Sequence, residues 1–166
     1  MKKIIVFLFL IGLISCSTTN KEKTSFTKEA LIETLLNSEG NQVTFESILK
    51  ENESKITVIE VWASWCGDCI RAMPKLKALQ TQHPDINYVF ISMDKSADAW
   101  KNGIAKHELK GSHYMANDQM NGKFAKAIDL DWIPRYIILD KTGKIVLYRA
   151  IEKDFDLINK TITELK

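Results

Sequence analysis

Cys66 and Cys69 stand two residues apart in the stretch EVWASWCGDCIRAMPKL, residues 60–76. Cysteines at this spacing can hold half of a metal site, close a small structural disulfide, or exchange electrons with other thiols. A zinc or copper site needs about four ligands. The sequence has no second CxxC, and His83, His107 and His113 are scattered without ligand spacing. A disulfide across so short a loop removes little chain entropy and makes a poor staple. The residues therefore favour a redox pair. A thiolate is the attacking species, and a helix N-terminus favours that anion through unpaired N–H groups and its dipole. Cys66 is expected to be the exposed attacker. Cys69, one turn on, would break the mixed disulfide that Cys66 forms. Asp68 suits a helix start, although its charge opposes a thiolate beside it.

Such a pair needs a strand to deliver it and a helix to hold it. ITVIEVW (Ile56 to Trp62) is a near-continuous apolar run, the pattern of a strand covered on both faces. A helix should follow through Ile70, Met73, Leu76 and Leu79, and INYVFISM (Ile86 to Met93) reads as a second buried strand. Ser96 is placed to cap a helix bearing Ala97, Trp100 and Ile104, which stops near Gly111. Another helix is expected through Met120, Phe124 and Ile128. RYIILDKTGKIVLYRA (Arg135 to Ala150) reads as two strands joined at DKTG, and Asp154 caps a last helix with Phe155, Ile158, Ile162 and Leu165 on its buried face. Earlier in the chain, Thr27 should cap a helix with Leu31, Ile32, Leu35 and Leu36 on one face, and Asn41 to Phe45 reads as a short strand. This order predicts an α/β fold with a mixed sheet flanked by helices, and the CxxC just beyond the carboxyl end of its first long strand.

The first residues read as a targeting signal. MKK is a basic start, and the apolar run of residues 4–14 is too short to span a bilayer as a stop-transfer helix. It ends in LISC, similar to the bacterial lipobox, in which the cysteine is acylated and the signal is cut before it. Residues 1–15 are thus expected to be a signal peptide, Cys16 the lipid anchor to the membrane, and residues 16–26 a polar tether, leaving 27–166 as one domain. With Cys16 lipidated, Cys66 and Cys69 are the thiols that remain, in a compartment outside the cytosol where disulfides persist. The formal charge is +2 with Lys2 and Lys3 in the signal, so nothing points to a nucleic-acid surface. Met73, Met93, Met115 and Met120 read as core filler, as do Trp62 and Trp100.

Taken together, these segments resemble the thioredoxin superfamily, and within it the tethered extracytoplasmic TlpA/ResA-like thioredoxins. The similarity runs from about residue 41 to the end. VWASWCGDC resembles the active-site segment, with Asp68 where proline is usual, and Pro74 matches the proline inside the active-site helix. SMDKSADAWKNGIAKHEL resembles an extra helical insertion before the cis-proline segment, and WIPRYIILDKTGKIV resembles that segment and its hairpin. The resemblance implies a thiol–disulfide oxidoreductase with no cofactor beyond the Cys66–Cys69 disulfide. Its partners would be protein disulfide substrates and a membrane thiol electron donor. It makes Glu60 the buried acid. The residues agree, since a carboxylate inside TVIEVW should be desolvated, its pKa raised, and able to take the Cys69 proton through a water. Pro134 would be the cis-proline that approaches Cys66. Ile133 would offer its backbone to a substrate strand, and Trp65 an apolar wall. Arg135 stands where threonine is usual, either as a cation that could attract acidic substrates or as a solvated strand residue. The direction of electron flow is expected to be reduction. The rivals are oxidation or isomerisation of secreted proteins, and a non-catalytic metal-binding or adaptor module.

Overall fold

The computed structural model describes residues 23–166. The expected signal peptide, Cys16 and the first part of the tether lie outside the described residues. The sheet has seven strands: β1 (Thr34–Asn37), β2 (Gln42–Thr44), β3 (Thr57–Trp62), β4 (Asn87–Ser92), β5 (Ser112–Ala116), β6 (Arg135–Leu139) and β7 (Ile145–Ala150), in the order β2-β1-β5-β4-β3-β6-β7. The β3–β4 and β4–β5 pairs are parallel and the others antiparallel, so the sheet is mixed, as predicted. Every residue of β3 is buried, which is why its sequence lacks alternation.

Six helices cover the sheet: α1 (Lys28–Ile32), α2 (Phe45–Glu51), α3 (Gly67–Gln82), α4 (Ala97–His107), α5 (Lys123–Ala127) and α6 (Phe155–Leu165). Phe26, Phe45 and Phe124 meet edge to face and join the start of the chain, α2 and α5 into one layer. On the other face, His83 at the end of α3 pairs with Asn159 of α6, Lys75 of α3 lies over the Phe155 ring, and Lys77 pairs with Glu108 beyond α4. Tyr136 of β6 packs edge-on against Phe155, which puts Tyr136 and its sheet neighbour Glu60 on the α3–α6 face.

Several elements differ from the sequence reading. The helix capped by Thr27 ends at Ile32, which is exposed, and Leu35 and Leu36 belong to β1 instead. A five-residue helix has little stability of its own. Pairing with β2 and β5, across a turn in which Asn37 Oδ1 accepts from the N–H groups of Glu39 and Asn41, takes the chain into the sheet. Phe45 does not close a strand but opens α2, capped by Thr44. The helix expected through Met120, Phe124 and Ile128 splits at the extended Gly122 into a 3-10 turn (Gln119–Asn121) and α5. The segment resembling a helical insertion forms α4, capped by Ser96 as expected, and continues into β5, which no pattern announced. Asp154 stands at the start of α6, but its carboxylate accepts from the Ile151 N–H rather than from the helix. The packed region also begins before residue 27. Lys23 pairs with Asp129, the Thr24 carbonyl accepts from the Ile145 N–H at 2.9 Å, and Phe26 is buried. Residues 23–26, expected to belong to a tether, are thus packed against the rest of the described chain.

Candidate active site

The chain leaves β3 at Trp62 and turns through Ala63, Ser64 and Trp65 into α3. Asp94, itself buried, holds this turn. It accepts from the Ser64 N–H at 3.0 Å and the Ser64 hydroxyl at 2.7 Å, and its Oδ2 also accepts from Ser92 at 2.7 Å. Gly103 of α4 lets the helix come close behind the turn, since a Cβ there would lie 2.7 Å from the Ser64 Cβ. Cys66 is the N-cap of α3, and its Sγ accepts from the Cys69 N–H at 3.1 Å. The two cysteines are joined as a disulfide, with Cα atoms 5.3 Å apart. Pro74 sits inside α3, where it withholds one helix hydrogen bond.

Opposite the disulfide, the Ile133–Pro134 bond is cis, and the Ile133 carbonyl oxygen lies 3.6 Å from Cys66 Sγ. Residues 66 and 134, far apart in sequence, are thus brought together as expected. Cys66 is 6% exposed and Cys69 is fully buried, so the expected exposed attacker is nearly enclosed. Its opening is a cleft of about 450 Å³ that includes Trp65, Met120, Asp131, Trp132 and Ile133. Trp65 is 57% exposed and forms one wall, as the resemblance implied. Trp132, 51% exposed, forms the other. Sequence reasoning missed Trp132, whose only signal was its place two residues before Pro134. Met120, read as core filler, also lines the cleft, whereas Met73, Met93 and Met115 are buried in the core, as are Trp62 and Trp100.

The electrostatics around the cleft are mostly paired. Asp68, in the first turn of α3, is bonded to Arg71, so its charge is not set against the sulfur alone. Arg135 is neither a solvated strand residue nor a free cation. It is buried on β6 and bonded to Asp131, which also takes Arg149. The Arg135 hydrogen bond holds the Asp131 carboxyl below the usual carboxylate range. Nε and Nη1 of Arg135 have no partner among the described residues.

Glu60 is buried in the middle of β3, opposite Tyr136. Its Oε1 accepts from the Tyr136 hydroxyl at 3.2 Å, and Oε2 has no partner among the described residues. Burial pushes its pKa up to about 8, against the opposing pull of the Tyr136 hydrogen bond. Glu60 therefore holds a proton near neutral pH and releases it under mildly basic conditions. Because Lys75 of α3 and Tyr136 both meet Phe155, Glu60 lies on the face that α3 covers. Among the described residues, no three His, Cys, Asp or Glu side chains gather as metal ligands.

This arrangement can carry dithiol–disulfide exchange: a capped sulfur at a helix start, its mate one turn behind, a backbone carbonyl facing it and a protonatable acid in the sheet below. Comparison with known proteins points the same way. The Thioredoxin-like family model matches residues 53–145. The thiol-disulfide oxidoreductase ResA of Bacillus thuringiensis is 23% identical over 151 residues, covering 87% of this chain and 83% of its own. A Bacteroides vulgatus protein solved in solution is 32% identical, covers 82% of this chain and 87% of its own, and has a TM-score of 0.66. A thiol-disulfide oxidoreductase from Bacteroides fragilis is 25% identical, covers 80% of this chain and 96% of its own, and has a TM-score of 0.67.

Proposed function

Because this chain belongs to the thioredoxin-like family, we propose that it is a lipid-anchored, extracytoplasmic thiol–disulfide oxidoreductase that reduces disulfides in other proteins. The observation that carries this reading is Cys66 Sγ itself, which accepts from the Cys69 N–H at the start of α3 and faces the Ile133 carbonyl at the cleft. In the reduced protein the Cys66 thiolate attacks one sulfur of a substrate disulfide. The substrate S–S bond breaks, a mixed disulfide with Cys66 forms, and the first substrate thiolate leaves. Glu60, in its ionised form, takes the Cys69 proton through a water. The Cys69 thiolate attacks Cys66 Sγ and expels the second substrate sulfur. Two electrons have then passed to the substrate, and the Cys66–Cys69 disulfide of the present structure remains. A membrane thiol donor returns the two electrons, and the disulfide is the only redox group this cycle needs. Ile133 pairs with the substrate backbone as an added strand, beside Trp65. The LISC pattern supports acylation of Cys16 after removal of residues 1–15, and the polar residues that follow suit a tether.

The test has two parts. A Cys69→Ser variant expressed in the native cell should accumulate mixed disulfides with its substrates, and Cys66→Ser should trap none and lose insulin reduction. A reduction potential near the thioredoxin value of about −270 mV supports the reducing direction, whereas one near the DsbA value of about −120 mV reverses it.

A further inference from the structure

Trp132 stands between two grooves. One is the cleft onto which Cys66 opens. The other, of about 500 Å³, is lined by Asp68, Arg71, Lys75, Glu152 and Lys153 together with Trp132 itself. Asp68, Arg71 and Trp132 border both. A polypeptide that presents a cysteine to Cys66 and runs on past Trp132 therefore enters the second groove.

The charges in that groove do not balance. Arg71 is bonded to Asp68. On the cleft side, Asp131 is already shared between Arg135 and Arg149. Lys75 and Lys153 make no ion pair among the described residues, and the Lys75 ammonium lies 5.8 Å from the centre of the Phe155 ring. Glu152 is the carboxylate set against them, and its Oε2 is buried without a partner among the described residues. The surplus next to the disulfide is positive. It is local, because the chain's formal charge of +2 comes from its first residues: Lys2, Lys3, Lys21 and Glu22 lie outside the described part, which is neutral. A cationic groove on a neutral body steers anionic partners to one place.

We propose that the groove beyond Trp132 is a recognition subsite for an acidic side chain, so that preferred substrates are polypeptides with Asp or Glu a few residues from the cysteine that Cys66 attacks. This deepens the oxidoreductase reading and rests on it. It also moves the attraction for acidic substrates from Arg135, whose charge is buried and paired, to Lys75 and Lys153.

The experiment uses the reduced full-length protein and two disulfide-linked peptides identical except for Glu or Lys flanking the cysteine. Each rate is divided by the rate of the same variant with 2-hydroxyethyl disulfide, which has no charge and no flanking chain. The Glu peptide should react roughly three- to tenfold faster than the Lys peptide at low ionic strength, the range expected for exposed charge pairs. The advantage should shrink toward unity at high salt, and a Lys75→Glu/Lys153→Glu variant should favour the Lys peptide. Equal rates in the wild type, a faster Lys peptide, or a preference that survives the charge reversal overturns the subsite. Failure of the reduced wild type to react with 2-hydroxyethyl disulfide at all overturns the oxidoreductase reading, and the subsite with it.

Discussion

Glu60 shows how a single residue can be read from sequence and still gain its meaning only from the fold. Its place inside an apolar strand announced desolvation. The Tyr136 hydroxyl on one oxygen, and a second oxygen with no partner among the described residues, could not be read there because β6 lies some 75 residues on. The consequence for stability has a definite sign. Burial raises the Glu60 pKa to about 8 in the folded protein, from an ordinary value of 4.5, so the folded state holds the proton more tightly. Its favourable contribution is complete below about pH 4.5, falls as pH rises through 8, and then levels off. A Glu60→Gln variant should lack this slope. It should be more stable than the wild type at pH 9 by up to about 5 kcal/mol, with the gap closing toward pH 4.5. Urea unfolding across that range measures it, and parallel curves would show that Glu60 titrates normally. The same substitution should slow resolution of the mixed disulfide by ~10²-fold or more and flatten its pH dependence. The Cys66–Cys69 pair was read from its spacing and Pro134 from the family resemblance, whereas Trp132 and Arg135 were not placed. Exposure of one and burial of the other depend on the loop that carries Asp131, and no local pattern encodes it.

At the scale of elements, legibility followed burial pattern and length. β3 and β4 are continuous apolar runs, and α3 and α4 carry caps and a clear apolar face, so each could be read directly. β1, β2 and β5 have three to five residues each and exist because they pair with one another and with β4. The sequence around β2 was read as a short strand, one residue too long at each end, whereas β1 and β5 hold too little apolar signal of their own to declare a strand. Contact between elements also sets what the site can tolerate. Gly103 lies inside α4, where alanine would ordinarily gain about 1 kcal/mol. Here an added Cβ would lie 2.7 Å from the Ser64 Cβ and 3.1 Å from the Trp62 ring, and a Cβ cannot swing aside. The crowding should cost about 1–3 kcal/mol and outweigh the propensity gain. Gly103→Ala is therefore expected to lower the urea midpoint, against a rise or no change for Asn102→Ala on the exposed side of the same helix. Because Ser64 and Asp94 fix the turn into Cys66, the variant should also slow insulin reduction.

For the whole molecule, the start of the packed chain is fastened to the loop that reaches the disulfide. Lys23 donates to Asp129 at 2.6 Å and to the Tyr148 hydroxyl at 2.9 Å, and that hydroxyl donates in turn to the Ile128 carbonyl at 2.6 Å. Arg149 holds the Asp129 carbonyl, and with Arg135 it holds Asp131, one residue before Trp132. Phe26 fills the space between Phe45 and Tyr148. Polar composition made this segment read as a tether, and contacts that lie across the fold leave no local pattern. Because its contacts lie across the fold, deletion should destabilise the domain. A chain beginning at residue 23 keeps all of these contacts. A chain beginning at residue 27 loses the Phe26 ring, the Thr24–Ile145 strand bond and the Lys23 clamp. It should lose about 2–4 kcal/mol, by analogy with removal of a buried aromatic ring. For a domain of this size that is a fall of roughly 5–15 °C in Tm. Reaction with 2-hydroxyethyl disulfide should survive well below the new Tm, because the sulfur, its cap and its helix are untouched. Equal melting temperatures for the chains starting at 23 and 27 would show that residues 23–26 add nothing to the stability of the fold.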